Sequence, residues 1–366
     1  MREPAAATRA IRSRPGGRLA LPWLLLAGGC LSPRKSIANL DELYESRGGE
    51  RATHAREITD HGWFSLDGRE ELDDPVAFAI ENLGELARAS PRDLDRLERA
   101  RAIGVAAEIG RIDPSRIVRL RGYETARALW LGIPETGFRF AARPVDEAEL
   151  HARIDALLTL ATAEEARRGG LVAAHGSALA EGALALAEQR PDSFPFALKL
   201  LLLATKAGRL VELSDGPPSL LESLERASES LAAQVCFLTA RADPAAGGGI
   251  ADPSPEVRIG AGRLLIAIDP VAATAELGRV YAFTPEAAVR IAWLRALSES
   301  RARARGVHPS LRGPLALELE AEDAAVEWWA RQALAALLAL DAERTEVAEL
   351  RSRWLALGEW DENGRT

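Results

Sequence analysis

The sequence predicts an all-α protein, an α-solenoid of stacked antiparallel helical hairpins. Three observations lead there. Aromatic residues make up only 5% of the chain while apolar residues reach 47%, and the apolar part is mostly Ala and Leu, which favour helix over strand. From about Leu72 onward apolar residues recur at three- and four-residue spacing, and no run alternates apolar and polar as a strand would. A short segment also returns along the chain, with helices in phase behind it, at intervals near multiples of about 35 residues, room for one helical hairpin.

The same composition bounds function. With 366 residues, 47% of them apolar and 27% charged, the chain can bury a core and is not a disordered segment. Lys35, Lys199 and Lys206 are the only lysines among 46 basic residues, an arginine bias that points to GC-rich coding rather than to a binding site. The net charge of −8 argues against a nucleic-acid binder. Two cysteines are too few for a disulfide scaffold or a Cys-only zinc site.

Residues 1–29 read as an export signal. Arg2, Arg9, Arg12, Arg14 and Arg18 against Glu3 give a basic start, and Leu19 to Ala27 is apolar but too short to span a bilayer. Leu26-Ala27-Gly28-Gly29-Cys30 follows, with small residues before a cysteine. That pattern resembles a bacterial lipobox, with Ala27 where Leu is commonest. The resemblance implies cleavage before Cys30 and acylation of its thiol. Loss of the net +4 segment would take the charge from −8 to −12 and leave Cys236 as the one free thiol. Cys236 lies in an apolar helical stretch, where a buried, inert thiol is expected. Residues 30–68 are polar, and their first part reads as a tether between lipid and body.

Candidate helices then follow near 75–88, 92–110, 115–131, 146–167, 171–189, 194–208 and 218–240. A C-terminal group continues near 255–268, 271–282, 285–300, 314–321, 323–340 and 343–357. They divide into an N-terminal region, 69–240, and a C-terminal region, 241–366. Ser90-Pro91, Ser254-Pro255 and Thr284-Pro285 each offer a hydroxyl at a candidate N-cap with Pro at the first helical position. Leu200 to Ala204 is apolar all round but closed by Lys199 and Lys206, so it reads as a buried helix and not a membrane span.

The repeat is the sharpest signal. Asp113-Pro114-Ser115-Arg116-Ile117-Val118-Arg119 and Asp252-Pro253-Ser254-Pro255-Glu256-Val257-Arg258 agree at five of seven positions, with an offset of 139 residues, close to four units. Helices starting at Val257-Arg258, Val289-Arg290 and Val326-Glu327 align without gaps. This resembles the HEAT repeat, in particular its phycobilisome-lyase-like variant. The resemblance implies that Asp113 and Asp252 cap the second helix of a hairpin. It also implies that Arg119, Arg258 and Arg290 bridge to neighbouring repeats as a polar ladder. Thr284 stands where the third copy would have Asp, keeping the cap without the charge. Ala321 and Glu327 end the ladder. The segment before Pro191 resembles a tetratricopeptide turn.

Six residues after each Val the row stays polar, with Arg263, Arg295 and Gln332, and it is the candidate protein-binding face. The two rows differ by five residues, about 500° of rotation or 140° net, so they point different ways. The last helix, with Arg344, Arg351 and Arg353 among acids, reads as a polar cap.

No catalytic constellation emerges. His54, His61, His151, His175 and His308 show no metal spacing. Gly260-Ala261-Gly262 lies inside a helix and reads as close packing. Gly247-Gly248-Gly249 lacks the following Lys-Ser/Thr of a phosphate loop and reads as a turn. His175-Gly176-Ser177 lacks the strand context of a nucleophile elbow. Glu318, Glu320, Glu322 and Asp323 sit at a helix start, where acids are stable. Most of Trp293, Trp328, Trp329, Trp354 and Trp360 read as core. The expectation is a non-enzymatic scaffold without metal or cofactor. It binds another protein and no nucleic acid, and its N-terminal lipid holds it to a membrane of the bacterial cell envelope. The protein would face the periplasm or the exterior, with the outer membrane as the expected address rather than the inner. A subunit or enzyme of an envelope complex, or a structural spacer, is the alternative.

Overall fold

The computed structural model describes residues 32–46, 75–90, 92–133, 146–166, 175–189, 191–241 and 248–357. Cys30, the export signal, His54, His61 and Trp360 lie outside the described residues. Those described form helices and no β-strand. In chain order they are α1 Pro33–Ser46, α2 Pro75–Ala87, α3 Arg96–Ile112, α4 Arg116–Leu131, α5 Glu147–Ala166, α6 Gly176–Ala187 and α7 Phe194–Leu213. The rest are α8 Pro218–Ala240, α9 Pro255–Ile268, α10 Pro270–Val280, α11 Ala287–Glu299, α12 Pro309–Leu317, α13 Ala324–Leu338 and α14 Val347–Leu355.

Helix starts follow local chemistry. Asp95 and Glu98 close a capping box at α3, each side chain accepting the other's backbone N–H. This moves the start past the expected Ser90-Pro91, and Ser90 instead bonds Asp93 through its N–H at 2.8 Å and its hydroxyl at 2.7 Å. Asp269 caps α10 with Pro270 at its first turn, Asp323 caps α13, and His308 caps α12 ahead of Pro309. Since His308 and Pro309 start α12, Pro314 falls inside it and the helix lies earlier than the 314–321 expected.

Helix α1 corrects the tether reading. Residues 33–46 are helical, and Ile37 and Leu40 are buried against the body, with α2 as the main neighbour. Arg34 Nε reaches Glu98 at 2.9 Å, and Asp41 pairs with Arg101. Two well-placed apolar residues and two ion pairs suffice to dock a segment that is polar on average.

Helices α2, α4, α9, α11 and α13 pack in that order as one row. Neighbours α4 and α9 run parallel, because both their starts and their ends meet. Arg119 contacts Asp252 at one end, and Trp130 Nε1 donates to Ala267 O at 3.0 Å at the other. Behind the row lie α3 and α8, packed on α4 and α9, and then α10 and α12. Helices α5, α6 and α7 form a side group on α8 and α3. The 139-residue offset therefore does not count four units along the row. The chain leaves the row after α4 and rejoins it at α9, so the two matching segments are direct neighbours.

One apolar cluster runs from Ile37 to Trp354 and crosses residue 240 without a break. Tyr123, Phe196, Phe237, Trp293 and Trp354 are its largest buried side chains, each stabilising the fold by roughly 1.5–3 kcal/mol. Buried polar edges find partners: Tyr123 Oη donates to Thr239 O at 2.9 Å and Trp354 Nε1 to Arg312 O at 3.0 Å. Gly122 lets α4 approach α3 closely, since a Cβ there would come within 2.5 Å of Gly110 N. Gly262, from the Gly260-Ala261-Gly262 segment, gives Trp293 its place, and a Cβ there would overlap the indole nitrogen. Gly249 closes the turn after α8 at φ +61°, a conformation that favours glycine.

Candidate functional site

The row of helices carries two sets of side chains. The first set runs across the helix starts. Arg119 makes a two-toothed contact with Asp252, Nε to Oδ2 and Nη2 to Oδ1, both at 3.1 Å. Its Nη1 donates to the carbonyls of Asp113 at 2.9 Å and Pro114 at 3.1 Å. The pair is 15% and 5% exposed. Arg258 Nη2 meets Glu286 Oε1 at 2.6 Å, and Arg290 Nη1 meets Glu318 Oε1 at 2.8 Å. Each arginine thus spans from one helix start to the acid ahead of the next helix in the row.

The geometry corrects the capping roles that the resemblance implied. Asp113 and Asp252 stand two residues ahead of the cap position, and each Oδ1 accepts a serine N–H, from Ser115 at 2.8 Å and Ser254 at 2.9 Å. These are Asx turns leading into the helix. Ser115 and Ser254 hold the cap position without a side-chain cap bond. Thr284 does not cap either: its hydroxyl donates to Val280 O at 2.9 Å, and Glu286 takes the cap position of α11. Glu286 and Glu318 went unrecognised as ladder partners although a signal existed. Arg258 to Glu286 and Arg290 to Glu318 are both 28 residues apart.

Electrostatics fit this arrangement. The Arg258 hydrogen bond holds the Glu286 carboxyl below its ordinary value. Burial, and then the Glu318 charge, pushes the Tyr281 hydroxyl up, and that buried oxygen has no hydrogen-bond partner among the described residues. Burial also pushes the Cys236 thiol up, the opposite of what a nucleophilic cysteine needs.

The second set faces outward. Arg295 is 60% exposed, bonded to Glu299 at 2.8 Å, with its guanidinium 5.6 Å from the ring of Trp329. Arg263 and Gln332 are half-buried on the neighbouring helices α9 and α13. Trp328 is 52% exposed and meets Trp329 edge to face at 4.6 Å. Four residues before Arg263 and Arg295 on the same faces stand Ile259 and Ile291, half-buried, with Leu120 of α4 in the corresponding place. An apolar line and a polar line therefore run side by side across four helices. Trp293 and Trp354 are core, as expected, whereas Trp328 is not.

Glu318, Glu320 and Asp323 are engaged in structure, with Arg290, Arg351 and the α13 cap respectively. His308 shares a 2.7 Å hydrogen bond with Ser310 at the α12 cap, and His151 packs edge to face on Phe196. Among the described residues no three His, Cys, Asp or Glu side chains gather to hold a metal ion. No helix among them is long and apolar enough to cross a membrane. Comparison with protein-family models, curated proteins and solved structures returns no match.

Proposed function

We propose that the chain is a lipid-anchored α-solenoid of the HEAT type that serves as a protein-interaction scaffold on a bacterial envelope membrane. The observation that carries this reading is the outward face. Trp328, Arg295 and Arg263 stand on three successive helices of the row with half-buried apolar residues beside them. Aromatic and arginine side chains over an apolar line are the composition of protein-binding surfaces. The side-by-side row and the arginine bridges between helix starts support the repeat reading.

Anchoring rests on the lipobox resemblance at Cys30. It gains a geometric consequence from α1. Only Leu31 and Ser32 separate Cys30 from a helix docked on the body. An acylated Cys30 would hold the α1–α2 end of the row against the bilayer and direct the α13–α14 end away from it.

Affinity capture from native membranes tests the scaffold. The wild-type chain should retain a specific protein that the Trp328→Ala, Arg295→Ala variant loses while keeping its helical circular dichroism. Retention of the same protein by both would refute the face. Separately, Cys30→Ala should leave the membrane fraction, because acyl chains supply the attachment. An unchanged distribution, with no lipid label on the wild type, would sink the anchor.

A further inference from the structure

Arg127 of α4 and Arg263 of α9 are two cations without an ion-pair partner among the described residues. The packing of α4 on α9 sets them opposite each other. Trp130 of α4 touches Ala267 of α9, and Arg127 and Arg263 lie three and four residues earlier, one turn back on each helix. Among the described residues neither guanidinium has an ion-pair or hydrogen-bond partner, and Arg127 Nε is buried without one. The nearest carboxylates are already engaged. Glu124 accepts Arg121 at 2.7 Å, and Glu299 accepts Arg295 at 2.8 Å. Burial, and next the Arg263 charge, lowers the Arg127 pKa, which marks the two cations as near neighbours that repel.

Two repelling arginines held on rigid helices are a site prepared for an anion. We propose that Arg127 and Arg263 together bind a side-chain carboxylate of an acidic, amphipathic peptide segment in the protein partner. The proposal rests on the scaffold reading above and names the chemistry that its face selects. Charge complementarity requires an anion, because a guanidinium pair binds carboxylates through parallel N–H donors. The surroundings choose among anions. The charges of Glu299 and Glu124 reach Arg127, and they repel a dense polyanion such as nucleic acid more strongly than a single carboxylate. Leu120, Ile259 and Ile291 run alongside and offer contact to apolar side chains next to that carboxylate. Neighbouring helix axes are about 8–10 Å apart, and an extended peptide advances about 7 Å per two residues. Acidic and apolar side chains in alternation therefore follow the two lines across the row.

The test uses the full chain and a fluorescent peptide of about ten residues alternating Glu and Leu, long enough to cross the row. A Lys–Leu peptide, inorganic phosphate and phosphatidylglycerol vesicles are the comparison probes. The Glu–Leu peptide should bind and the Lys–Leu peptide should not. Arg127→Gln with Arg263→Gln should weaken Glu–Leu binding about tenfold or more and flatten its salt dependence. Arg344→Gln, at an arginine distant in sequence and highly exposed, should leave binding unchanged. The thermal midpoint of the double variant should stay level or rise, since no stabilising ion pair is removed. Equal binding by the double variant, no binding by the wild type, or a fall in its midpoint would each overturn the site. So would a variant that loses vesicles or phosphate but keeps the peptide, because the anion is then a headgroup or free phosphate. If the double variant still captures the wild-type partner from membranes, the scaffold reading stands and the carboxylate site alone falls. If the peptide binds through the pair but the face captures no protein, the reverse holds.

Discussion

Arg119 and Arg295 occupy the same row of helices and should behave oppositely when removed. Arg119 lies almost wholly within the fold, gripping Asp252 with two hydrogen bonds and two carbonyls with a third nitrogen. Arg119→Ala leaves a buried carboxylate unpaired, and breaking such a pair costs about 3 kcal/mol. Arg295 pairs with Glu299 one turn away in open solvent, so Arg295→Ala should cost no more than about 0.5 kcal/mol. Urea unfolding of both variants measures this, and equal losses would refute the assignment of the two rows. The Arg258–Glu286 pair adds a pH dependence with a definite sign. Glu286 titrates below its ordinary 4.5 in the fold, so the pair's stability is present above that value. It is lost as the pH falls through the lowered one. As the pH falls below about 4.5, the midpoint of the wild type should fall more steeply than that of Arg258→Ala. Parallel curves would mean that Glu286 gains nothing from the arginine. The five-residue offset between the rows already separated these roles in the sequence. Arg127 stayed hidden because its partner in repulsion is 136 residues away, beyond the reach of any helical spacing.

Most helices were legible because burial writes itself into three- and four-residue spacing. Helices α2, α4, α5, α8, α9, α10, α11 and α13 fall within two residues of expectation. Two elements escaped for reasons of local chemistry. The apolar spacing places α12 near 314–321, whereas its start is the His308 cap with Pro309 behind it. Helix α1 reads as tether in the sequence because its average polarity outweighs the two apolar residues, Ile37 and Leu40, that dock it. That difference is testable. Truncation through Ser46 would be neutral for a tether. For a docked helix it uncovers apolar surface on α2 and frees Arg101 from Asp41, at a cost of about 3 kcal/mol if two large side chains lose their burial. A midpoint unchanged by the truncation would remove α1 from the fold. The side group α5–α7 hid the register in the same way. An offset of 139 residues suggests distance, yet α4 and α9 meet at both ends, through Arg119–Asp252 and Trp130–Ala267.

The order of packing makes a statement about overall size. Five helices, α2, α4, α9, α11 and α13, follow one another in a row, and neighbouring axes lie about 8–10 Å apart. Their axes therefore cover about 32–40 Å in one direction before side chains, partner helices and α14 are added. Helices α10 and α12 extend behind the far end of the row, while α5–α7 thicken it near α3 and α8. A chain of this length folded as a compact globule has a radius of gyration of about 20 Å. If the proposed solenoid holds, its radius exceeds that, because in a solenoid each unit touches only its neighbours and length grows with unit number. The one apolar cluster from Ile37 to Trp354 is compatible with this, since stacking makes a core continuous along the array rather than central. Small-angle scattering of a chain starting at Ser32 should return a radius above about 20 Å and a distance distribution with a tail at long separations. A radius at the compact value with a symmetric distribution would mean that the row curls back on itself. The outward face with Arg263, Arg295 and Trp328 would then be partly enclosed, and a partner could no longer lie across it.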